Sequence, residues 1–201
     1  MDWQKSPVAQ RRYLPLKRLL DVIFSALLLI LFLLPMLGIG ICIAISSRGG
    51  ILFRQTRIGR DGRPFTCYKF RTMVRHAPPN LPTAAFADAA HYITPVGRIL
   101  RRTSLDELPQ LWNVLRGDMS LVGPRPLIGE ERTMHRLRSE HGVYRVRPGM
   151  TGLAQIMGRD HLEDREKAAY DICYVKDLCL REDMKIVFRT LGRVLSGENI
   201  K

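Results

Sequence analysis

A long apolar run near the amino terminus dominates the pattern of hydrophobic and polar positions. From Val22 to Ile45 the chain reads VIFSALLLILFLLPMLGIGICIAI, without a charged residue. A helix rises about 1.5 Å per residue, so this run reaches across a hydrocarbon core of about 30 Å. The preceding polar residues 1–21 disfavour a cleavable signal peptide, and a run apolar on every side disfavours a buried core helix. We therefore predict a membrane segment over residues 22–47.

Pro35 and the flanking charges favour a bent helix over a straight crossing. Proline in the middle of a helix removes a backbone hydrogen bond and forces a bend. Both flanks of the run are basic, and the positive-inside rule places both in the cytoplasm. A helix that enters the membrane, bends at Pro35 and returns satisfies both observations; a spanning helix that tolerates its proline is the alternative. The basic residues are Arg11, Arg12, Lys17 and Arg18 before the run and Arg48, Arg54 and Arg57 after it.

A β-hairpin is predicted directly after the membrane segment. The strand-like runs ILFRQ (51–55) and FTCYKF (65–70) enclose a polar stretch with Asp61-Gly62, a dipeptide typical of tight turns. Residues 76–95 are rich in proline and alanine, and we predict a loop there.

Helical periodicity covers most of the remaining chain, at about residues 104–116, 128–141, 161–178 and 181–195. The last of these helices carries one apolar face, which suits either core packing or a position on a membrane surface. The expected fold class is α+β, with a basic lead-in over residues 1–21, a re-entrant membrane helix bent at a proline over residues 22–47, and a cytosolic catalytic domain over residues 48–201. We expect that domain to be small and mainly helical, with a short β-hairpin and surface amphipathic helices. The apolar face comprises Met184, Phe188, Leu191 and Leu195.

The composition adds a strong positive charge and disfavours zinc and disulfide chemistry. The chain contains 32 Lys and Arg against 19 Asp and Glu, a formal net charge of +13. Such a field attracts phosphate groups, whether of a nucleotide, an anionic lipid or a nucleic acid. None of the 4 cysteines forms a C-x-x-C pair and no His or Cys spacing resembles a zinc site, so we expect reduced thiols.

The most informative stretch for chemistry is RRTSLDELPQLWNVLRGDMSLVGPRP, residues 101–126. Ser104 to Glu107 reads S-L-D-E, which predicts a capping box at the start of a helix. In one interpretation Asp106 and Glu107 are only first-turn acids stabilised by the helix dipole. In the other they are catalytic, because an acid held among cations stays ionised, as a nucleophile or a metal ligand must. Adjacent carboxylates can also divide the work, one attacking phosphorus and one handling a proton, and hard oxygen ligands suit Mg²⁺.

Three further segments place cations or glycines where a phosphate ligand can bind. Gly123-Pro124-Arg125-Pro126 is a rigid turn whose single arginine suits bidentate phosphate contact. In YKFRT (68–72), Lys69 and Arg71 alternate with aromatic residues, so both cations lie on one face of a strand. The glycines of RPGMTG (147–152) permit close backbone approach to a ligand. The plainer interpretations of the first two segments are a solvated surface turn and a solvated strand edge.

These motifs, in this order, resemble the bacterial sugar transferase family, the small monotopic polyprenol-phosphate phosphoglycosyl transferases. The likeness runs from about Leu16 to about Thr190. It is carried by KRLLD, RQTRIGRDGRPF, YKFRTM, RRTSLDELPQLWNVLRGDMSLVGPRP and RPGMTGLAQIMGRD. Several long motifs in the family's order make a specific signal.

The resemblance implies roles for the residues that match the family's motifs. Pro35 matches the proline that bends the re-entrant helix. Asp106 matches the catalytic nucleophile, which is also the Mg²⁺ ligand. Glu107 matches the base that activates the polyprenol phosphate.

The resemblance also implies a set of cations that bind the substrates. Lys69 of the K-F-R-T-M motif and Arg101 before T-S-L-D-E match phosphate-binding residues. Arg71 of the same K-F-R-T-M motif is expected beside them. Arg125 of the P-R-P turn and Arg147 look like contacts to the nucleotide.

The chain departs from the family's pattern at three places. Leu34 stands where the family often has a serine before the bending proline. Gly49-Gly50-Ile51-Leu52 stands where members often read G-P-V-F. The region after Pro126 differs from several members, and this leaves the identity of the sugar open.

The reaction that the resemblance implies is a two-step, ping-pong transfer. Asp106 attacks the β-phosphorus of a UDP-sugar, UMP leaves, and the phosphosugar passes to a polyprenol (undecaprenyl) phosphate, with Mg²⁺ as cofactor. The enzyme is expected on the cytoplasmic face of the bacterial inner membrane, among its lipids, as a monotopic protein with both termini in the cytoplasm. It would act at the first step of cell-surface glycoconjugate or exopolysaccharide assembly. Nucleic acid is not an expected partner, and a homodimer is left open.

Two other functions are compatible with the charge. A membrane-anchored nucleic-acid-binding module needs a basic face without clustered acids, and Asp106 and Glu107 beside Arg101 argue against it. Steep salt dependence of DNA binding would indicate such a module. A structural membrane protein whose basic flanks bind anionic lipid would turn over no nucleotide sugar.

Overall fold

A computed structural model describes residues 8–77, 90–158 and 162–196 and confirms the α+β fold class. Within these ranges eight α-helices accompany two small two-stranded sheets. The helices are α1 (Val8–Leu31), α2 (Leu33–Ser46), α3 (Pro95–Arg102), α4 (Gln110–Arg116), α5 (Arg132–Glu140), α6 (Leu153–Met157), α7 (Asp164–Lys176) and α8 (Leu180–Ser196). The strands are β1 (Leu52–Ile58), β2 (Pro64–Phe70), β3 (Ser120–Val122) and β4 (Gly149–Thr151).

The predicted bend in the apolar segment is present between α1 and α2. The amide of Phe32 still bonds the carbonyl of Leu28 at 2.9 Å, and that of Met36 bonds Phe32 at 2.8 Å. Pro35 has no N–H to offer the carbonyl of Leu31, and the chain bends by 60° at this break. No single helix of the described residues is long and apolar enough to cross a membrane, whereas the bent pair meets the length and composition required.

The bent pair presents two different surfaces. Lys17, Asp21 and Ser25 follow one another at four-residue spacing and are buried on the inner face of α1. The outer surface of both helices is apolar and exposed, as a lipid-facing surface requires. Its largest exposed side chains include Leu27, Ile30, Leu31, Leu34, Ile41 and Ile45.

The predicted hairpin is confirmed, with both strands longer than the sequence suggested. β1 and β2 pair antiparallel, from Leu52 opposite Phe70 to Ile58 opposite Pro64. The connecting turn contains the predicted dipeptide, and both Asp61 (φ 57°) and Gly62 (φ 72°) adopt left-handed conformations. A tight hairpin turn requires this geometry, and Asp and Gly tolerate it best.

The predicted capping box and the continuous helix over 104–116 are wrong. Ser104 is left-handed, with φ 56°, and its side chain caps no amide. Leu105–Glu107 forms a short 3₁₀ turn, and α4 begins only at Gln110. Pro109 supplies the reason, because its nitrogen cannot donate the bond that a helix starting at Ser104 would need there.

The other predicted helices are confirmed within a few residues as α5, α7 and α8. On α8, Met184, Phe188 and Leu191 are exposed, so this apolar face does not pack in the core; the structure does not describe the side chain of Leu195. The predicted loop over residues 76–95 lies mostly outside the described residues. Its described end forms a 3₁₀ turn at Ala90–Tyr92 and the first residue of α3.

The short parallel pair β3–β4 was not predicted. Ser120 pairs with Gly149 and Val122 with Thr151, which joins segments far apart in sequence. A core cluster surrounds this pair and fastens α1 to α7 and α8, so the part of α1 that precedes the apolar run packs against the domain. Its buried members are Tyr13, Val122, Val146, Ile156, Tyr174, Leu178 and Ile186.

Candidate active site

The predicted catalytic acid Glu107 meets the predicted phosphate-binding Lys69. Lys69 lies near the end of β2, and its Nζ donates to Oε1 of Glu107 at 2.6 Å. Both side chains are partly exposed, at 26% and 21%. The 3₁₀ turn packs directly on β2, so a short ion pair open to solvent on one side results.

Asp106 lies beside this pair in a more buried position. The pKa of Asp106 is raised from 3.8 to about 6, mainly by burial and also by the neighbouring charge of Glu107. Lys69 and Arg101 oppose this shift without cancelling it. Desolvation of the carboxylate outweighs these two cations, so the net shift of the pKa is upward. The carboxyl still loses its proton below neutral pH.

Arg101 reaches the same carboxyl from α3. Its Nε donates to Oγ1 of Thr72 at 2.9 Å, and burial lowers the pKa of its guanidinium while the charge of Asp106 raises it. Gly97 makes this approach feasible, because a Cβ at that position would lie 2.0 Å from the carbonyl oxygen of Thr72. α3 thus packs closely against the residues that follow β2, and this places Arg101 beside the 3₁₀ turn Leu105–Glu107.

A cleft opens from Lys69 and Glu107, and Arg125 lines it; its predicted contact with the nucleotide stays a prediction. Four further polar residues line the cleft and were not predicted as site residues, although they lie in or near the family motifs: Arg57, Cys67, Gln110 and Gln155. The lining residues are Arg57, Cys67, Lys69, Glu107, Gln110, Arg125, Pro126, Gly149, Met150 and Gln155.

Backbone contacts fix the turn that carries Arg125. The amide of Gly123 bonds the carbonyl of Thr151 at 2.8 Å, and that of Gly149 bonds the carbonyl of Pro124 at 2.9 Å. A Cβ on Gly149 would lie 2.1 Å from the nitrogen of Gly123. These glycines were predicted to admit a ligand; the close approach that they allow is of one backbone segment to another.

Arg71 points to the end of α2. Its guanidinium donates to the carbonyls of Arg48 and Ser47, both at 2.8 Å, and to the Ser47 hydroxyl at 2.9 Å. In this position Arg71 bonds the residues that directly follow α2. A phosphate contact by Arg71 stays a prediction, and it would require these bonds to be exchanged.

Arg147 also lies apart from the catalytic acids. Its Nε donates to the carbonyl of Gly117 at 2.8 Å, at the end of α4. Burial lowers its pKa, and the nearby cations Arg18 and Arg60 lower it further. The nucleotide contact predicted for Arg147 therefore stays a prediction that this geometry does not favour.

Helix α2 contacts the 3₁₀ turn Leu105–Glu107 directly. Ile43 of α2 packs in one buried cluster with Phe70 of β2 and Leu100 of α3. Leu105 and Leu108, which flank the two acids, join this cluster. The bend at Pro35 thereby returns α2 to the surface that carries Asp106 and Glu107.

The donor set of the acids suits the predicted Mg²⁺. Among the described residues, no group of three or more His, Cys, Asp or Glu side chains is placed to hold a metal ion. Mg²⁺ keeps several waters and takes one or two protein carboxylates together with substrate phosphates. Asp106, with Glu107 adjacent, fits this pattern, and Asp106 as the ligand stays a prediction.

Comparisons with known proteins agree with this arrangement. The model of the family described as "Bacterial sugar transferase" matches residues 12–197. A UDP-glucose:undecaprenyl-phosphate glucose-1-phosphate transferase of Caulobacter vibrioides is 46% identical over 91% of this chain and 71% of its own length. A UDP-galactose-lipid carrier transferase of Erwinia amylovora is 41% identical over 91% of this chain, and the match spans only 41% of that protein.

A third relative is similar over nearly its whole length. The exopolysaccharide production protein ExoY of Sinorhizobium fredii is 39% identical over 89% of this chain and 84% of its own length. The names of these relatives agree with the predicted enzyme class, the sugar-1-phosphate transferases that act on a lipid carrier. The match over residues 12–197 covers almost the whole chain, and the resemblance inferred from the motifs is confirmed: the chain belongs to the bacterial sugar transferase family.

Proposed function

We propose that this protein transfers a sugar 1-phosphate from a UDP-sugar to a membrane polyprenol phosphate, giving a polyprenol-diphosphate sugar and UMP. The observation that carries the proposal is the meeting of two adjacent acids with two cations directly beside an apolar, bent helix pair. Asp106 and Glu107 lie between Lys69 and Arg101, and α2 packs on their flanking leucines. One substrate is water-soluble and the other is not, so the site must lie where both can reach it.

In the first step Asp106 acts as the nucleophile. A carboxylate oxygen of Asp106 attacks the β-phosphorus of the UDP-sugar, the bond from that phosphorus to the bridging oxygen breaks, and UMP leaves. An acyl phosphate that carries the sugar remains on Asp106. Lys69 and Arg101 lie where they can stabilise the charge on the transferring phosphoryl group. When bound at Asp106, Mg²⁺ would supply further charge neutralisation to the diphosphate.

In the second step the polyprenol phosphate is the attacking group. Its phosphate oxygen attacks the phosphorus on Asp106, which releases the aspartate carboxylate and forms the new diphosphate. In this proposal Glu107 accepts a proton from the incoming phosphate. Lys69, which donates to Glu107, would at that point also bind the incoming phosphate. Adjacent carboxyls with different surroundings thereby divide nucleophilic and proton-transfer roles.

The contacts of the bent helix pair support a re-entrant position in the membrane. Lys17 and Asp21, in the middle of α1 and directly before the apolar run, are bonded to α8 and β3 of the domain. Ile43, near the end of α2, packs on β2 and α3 of the same domain. Because both ends of the pair contact one domain, both lie on one side of any bilayer that the bend enters. We place that domain on the cytoplasmic face of the inner membrane.

Isolation of the first half-reaction is the decisive experiment. Purified enzyme, Mg²⁺ and a panel of UDP-sugars are mixed without polyprenol phosphate. For the correct sugar we expect a burst of at most about one equivalent of UMP and exchange of labelled UMP into the UDP-sugar pool. Mass spectrometry should find a sugar-phosphate adduct on the peptide that contains Asp106.

Two isosteric variants separate the roles of the acids. Asp106→Asn should abolish burst, exchange and adduct, and Glu107→Gln should keep part of the adduct and fail to transfer it to the acceptor. Turnover with acceptor but no exchange without it would replace the covalent intermediate by a direct displacement. Unaltered turnover by Asp106→Asn would return both acids to a purely structural role.

A further inference from the structure

Arg57, on β1, faces the cleft that Arg125 lines. The side chains of β1 alternate, so Arg57 is half-buried on the inner side of the hairpin, whereas Arg54 is exposed on the outer side, with its guanidinium 6.0 Å from the Tyr68 ring centre. Arg57 Nη1 donates to the carbonyl of Pro126 at 3.0 Å, and Nη2 donates to Oε1 of Gln55 at 2.6 Å. Both acceptors are neutral oxygens, and the carboxylates of Glu131 and Glu107 are the negative charges that act on this guanidinium.

The guanidinium of Arg57 is also close to that of Arg125. Burial lowers the pKa of Arg57, and the charge of Arg125 is the next cause in the same direction. Two half-buried cations that disfavour each other gain from a further anion placed between them, in addition to the nearby Glu107 and Glu131. Arginine offers the planar, bidentate geometry that matches a phosphate group.

Gln155 also lines this cleft and has an unused hydrogen-bond acceptor. Nε2 of Gln155 donates to the carbonyl of Met150 at 3.0 Å, which orients the amide and turns Oε1 away. Oε1 of Gln155 is buried, with no hydrogen-bond partner among the described residues. A ligand that binds at this cleft is therefore favoured by an anion beside the arginines and by an N–H or O–H donor where it approaches Gln155.

These demands distinguish the two substrates. A polyprenol phosphate continues from its phosphate into hydrocarbon and offers no donor. A nucleotide continues from its phosphate into ribose hydroxyls and a base N–H. The cleft also shares no residue with the apolar cluster that α2 forms beside the acids.

Resting on the proposed function, we infer that Arg57 and Arg125 together bind the phosphate of the departing UMP, so that Arg57 contacts the substrate in addition to supporting the Pro126 carbonyl. The pair neutralises the charge that the bridging oxygen gains as its bond to the β-phosphorus breaks. Gln155 accepts a hydrogen bond from the nucleoside of the same ligand.

The inference is tested with UMP as the probe, by calorimetric titration into the detergent-solubilised full chain. Arg57→Gln should weaken UMP binding about 10- to 100-fold, the range for a lost hydrogen bond to a charged group. The apparent KM for the UDP-sugar should rise and that for polyprenol phosphate should stay constant. Arg54→Gln is the matched control, since it removes the same charge from the same strand, and it should leave both values unchanged.

A double-mutant cycle separates direct contact from support of the turn. If Arg57 acts only by holding the turn of Arg125, Arg57→Gln will weaken UMP binding no further in an Arg125→Gln background. A further loss of at least about threefold there supports direct contact, and no further loss overturns it. Unchanged UMP binding by Arg57→Gln, or a raised KM for polyprenol phosphate alone, also overturns the inference. Wild-type protein that releases no UMP from any UDP-sugar would instead refute the proposed function.

Discussion

Asp106, the proposed nucleophile, lies in a location that is unfavourable for a charged group. Burial disfavours its charged form, and no full neutralisation by Lys69 and Arg101 occurs. A nucleophilic carboxylate benefits from this, because a poorly solvated anion is the more reactive one and because a bound cation or substrate can restore the lost stabilisation. The same reasoning predicts a measurable effect on stability.

The free energy of unfolding should depend on the charge of Asp106. A carboxyl whose pKa is higher in the folded protein, here about 6 against 3.8, binds more protons when folded. Stability therefore falls as pH rises through this window and stays lower above it, by an amount on the order of 2–3 kcal/mol. Asp106→Asn lacks this titration, so without Mg²⁺ and nucleotide its melting temperature should exceed that of the wild type more at pH 7.5 than at pH 4.5. An equal difference at both pH values would mean that burial does not control this carboxyl.

The two cations beside Asp106 should matter for rate more than for folding. Lys69→Ala and Arg101→Ala each remove one positive charge that would stabilise the transferring phosphoryl group. The loss of one such contact typically lowers kcat by about 10²–10³. Arg102→Ala is the matched control, because Arg102 is exposed at the end of the same helix. Steady-state turnover with saturating substrates measures the effect. Wild-type rates in Lys69→Ala or Arg101→Ala would refute that residue's phosphate-binding role.

The meeting of acids and cations could be predicted from sequence, and the uses of the other arginines could not. Asp106 and Lys69 belong to long motifs whose order signals one family. Arg57 and Arg71 also belong to family motifs, yet Arg57 lines the cleft, whereas Arg71 bonds the carbonyls directly after α2. The position of each arginine side chain depends on the strand register and on which carbonyl groups lie nearby, and the local sequence pattern does not specify either.

Among the secondary-structure elements, the clearest failure of prediction is the catalytic turn. The letters S-L-D-E satisfy the capping-box pattern, but Pro109 stops a continuous helix and Ser104 adopts a left-handed conformation that non-glycine residues seldom take. The resulting 3₁₀ turn aims Glu107 at Lys69 instead of at a backbone amide. The capping-box rule therefore fails at the proposed site of chemistry, where function can require a geometry that the local sequence does not favour.

Helix α1 is fastened to α8 by a buried ion pair. Lys17 Nζ bonds Asp183, which also accepts hydrogen bonds from the hydroxyls of Tyr13 and Tyr174. The side chains of Lys17 and Asp183 are only 10% and 8% exposed. The position of the bent helix pair relative to the domain thus depends on polar contacts that the apolar pattern does not reveal.

Removal of one partner from this pair should be strongly destabilising. Lys17→Met leaves the Asp183 carboxylate buried without its cation, which typically costs about 3–5 kcal/mol. Lys185→Met is the matched control, because Lys185 pairs with Glu182 on the exposed side of α8 and such pairs are worth about 0.3–0.5 kcal/mol. Denaturant unfolding in detergent compares the two variants. Equal, small losses would show that the pair does not hold α1 in place.

For the molecule as a whole, the net charge of +13 is less available than the composition suggests. Arg18, Arg71, Arg138 and Arg147 all donate to backbone carbonyls at the ends of helices or turns. These cations hold segments of chain together, so they do not form one open basic face. This speaks against the nucleic-acid-binding alternative and leaves the cluster around Asp106 as the favoured phosphate site.

The arrangement of the whole chain in a membrane gives the last prediction. Both ends of the bent pair are fastened to one domain, so residues before α1 and residues of the hairpin should face the same compartment. Single cysteines at Lys5 and Arg63, in a chain without its native cysteines, should resist an impermeant thiol reagent on intact cells and react after permeabilisation. Labelling of either residue from outside would exclude the re-entrant arrangement.

Substitution of the bend tests its cause. Pro35→Leu restores an N–H that can bond the carbonyl of Leu31, and it favours a straight helix that spans the bilayer. The contacts of Lys17 with the domain oppose this, so the single variant should expose only a small fraction of Lys5 to the outside reagent, and Pro35→Leu with Lys17→Met a larger one. Arg63 should stay protected in both variants, because the folded domain cannot cross. An unlabelled Lys5 in the double variant would show that the bend does not depend on Pro35 and that the contacts of Lys17 are dispensable for orientation.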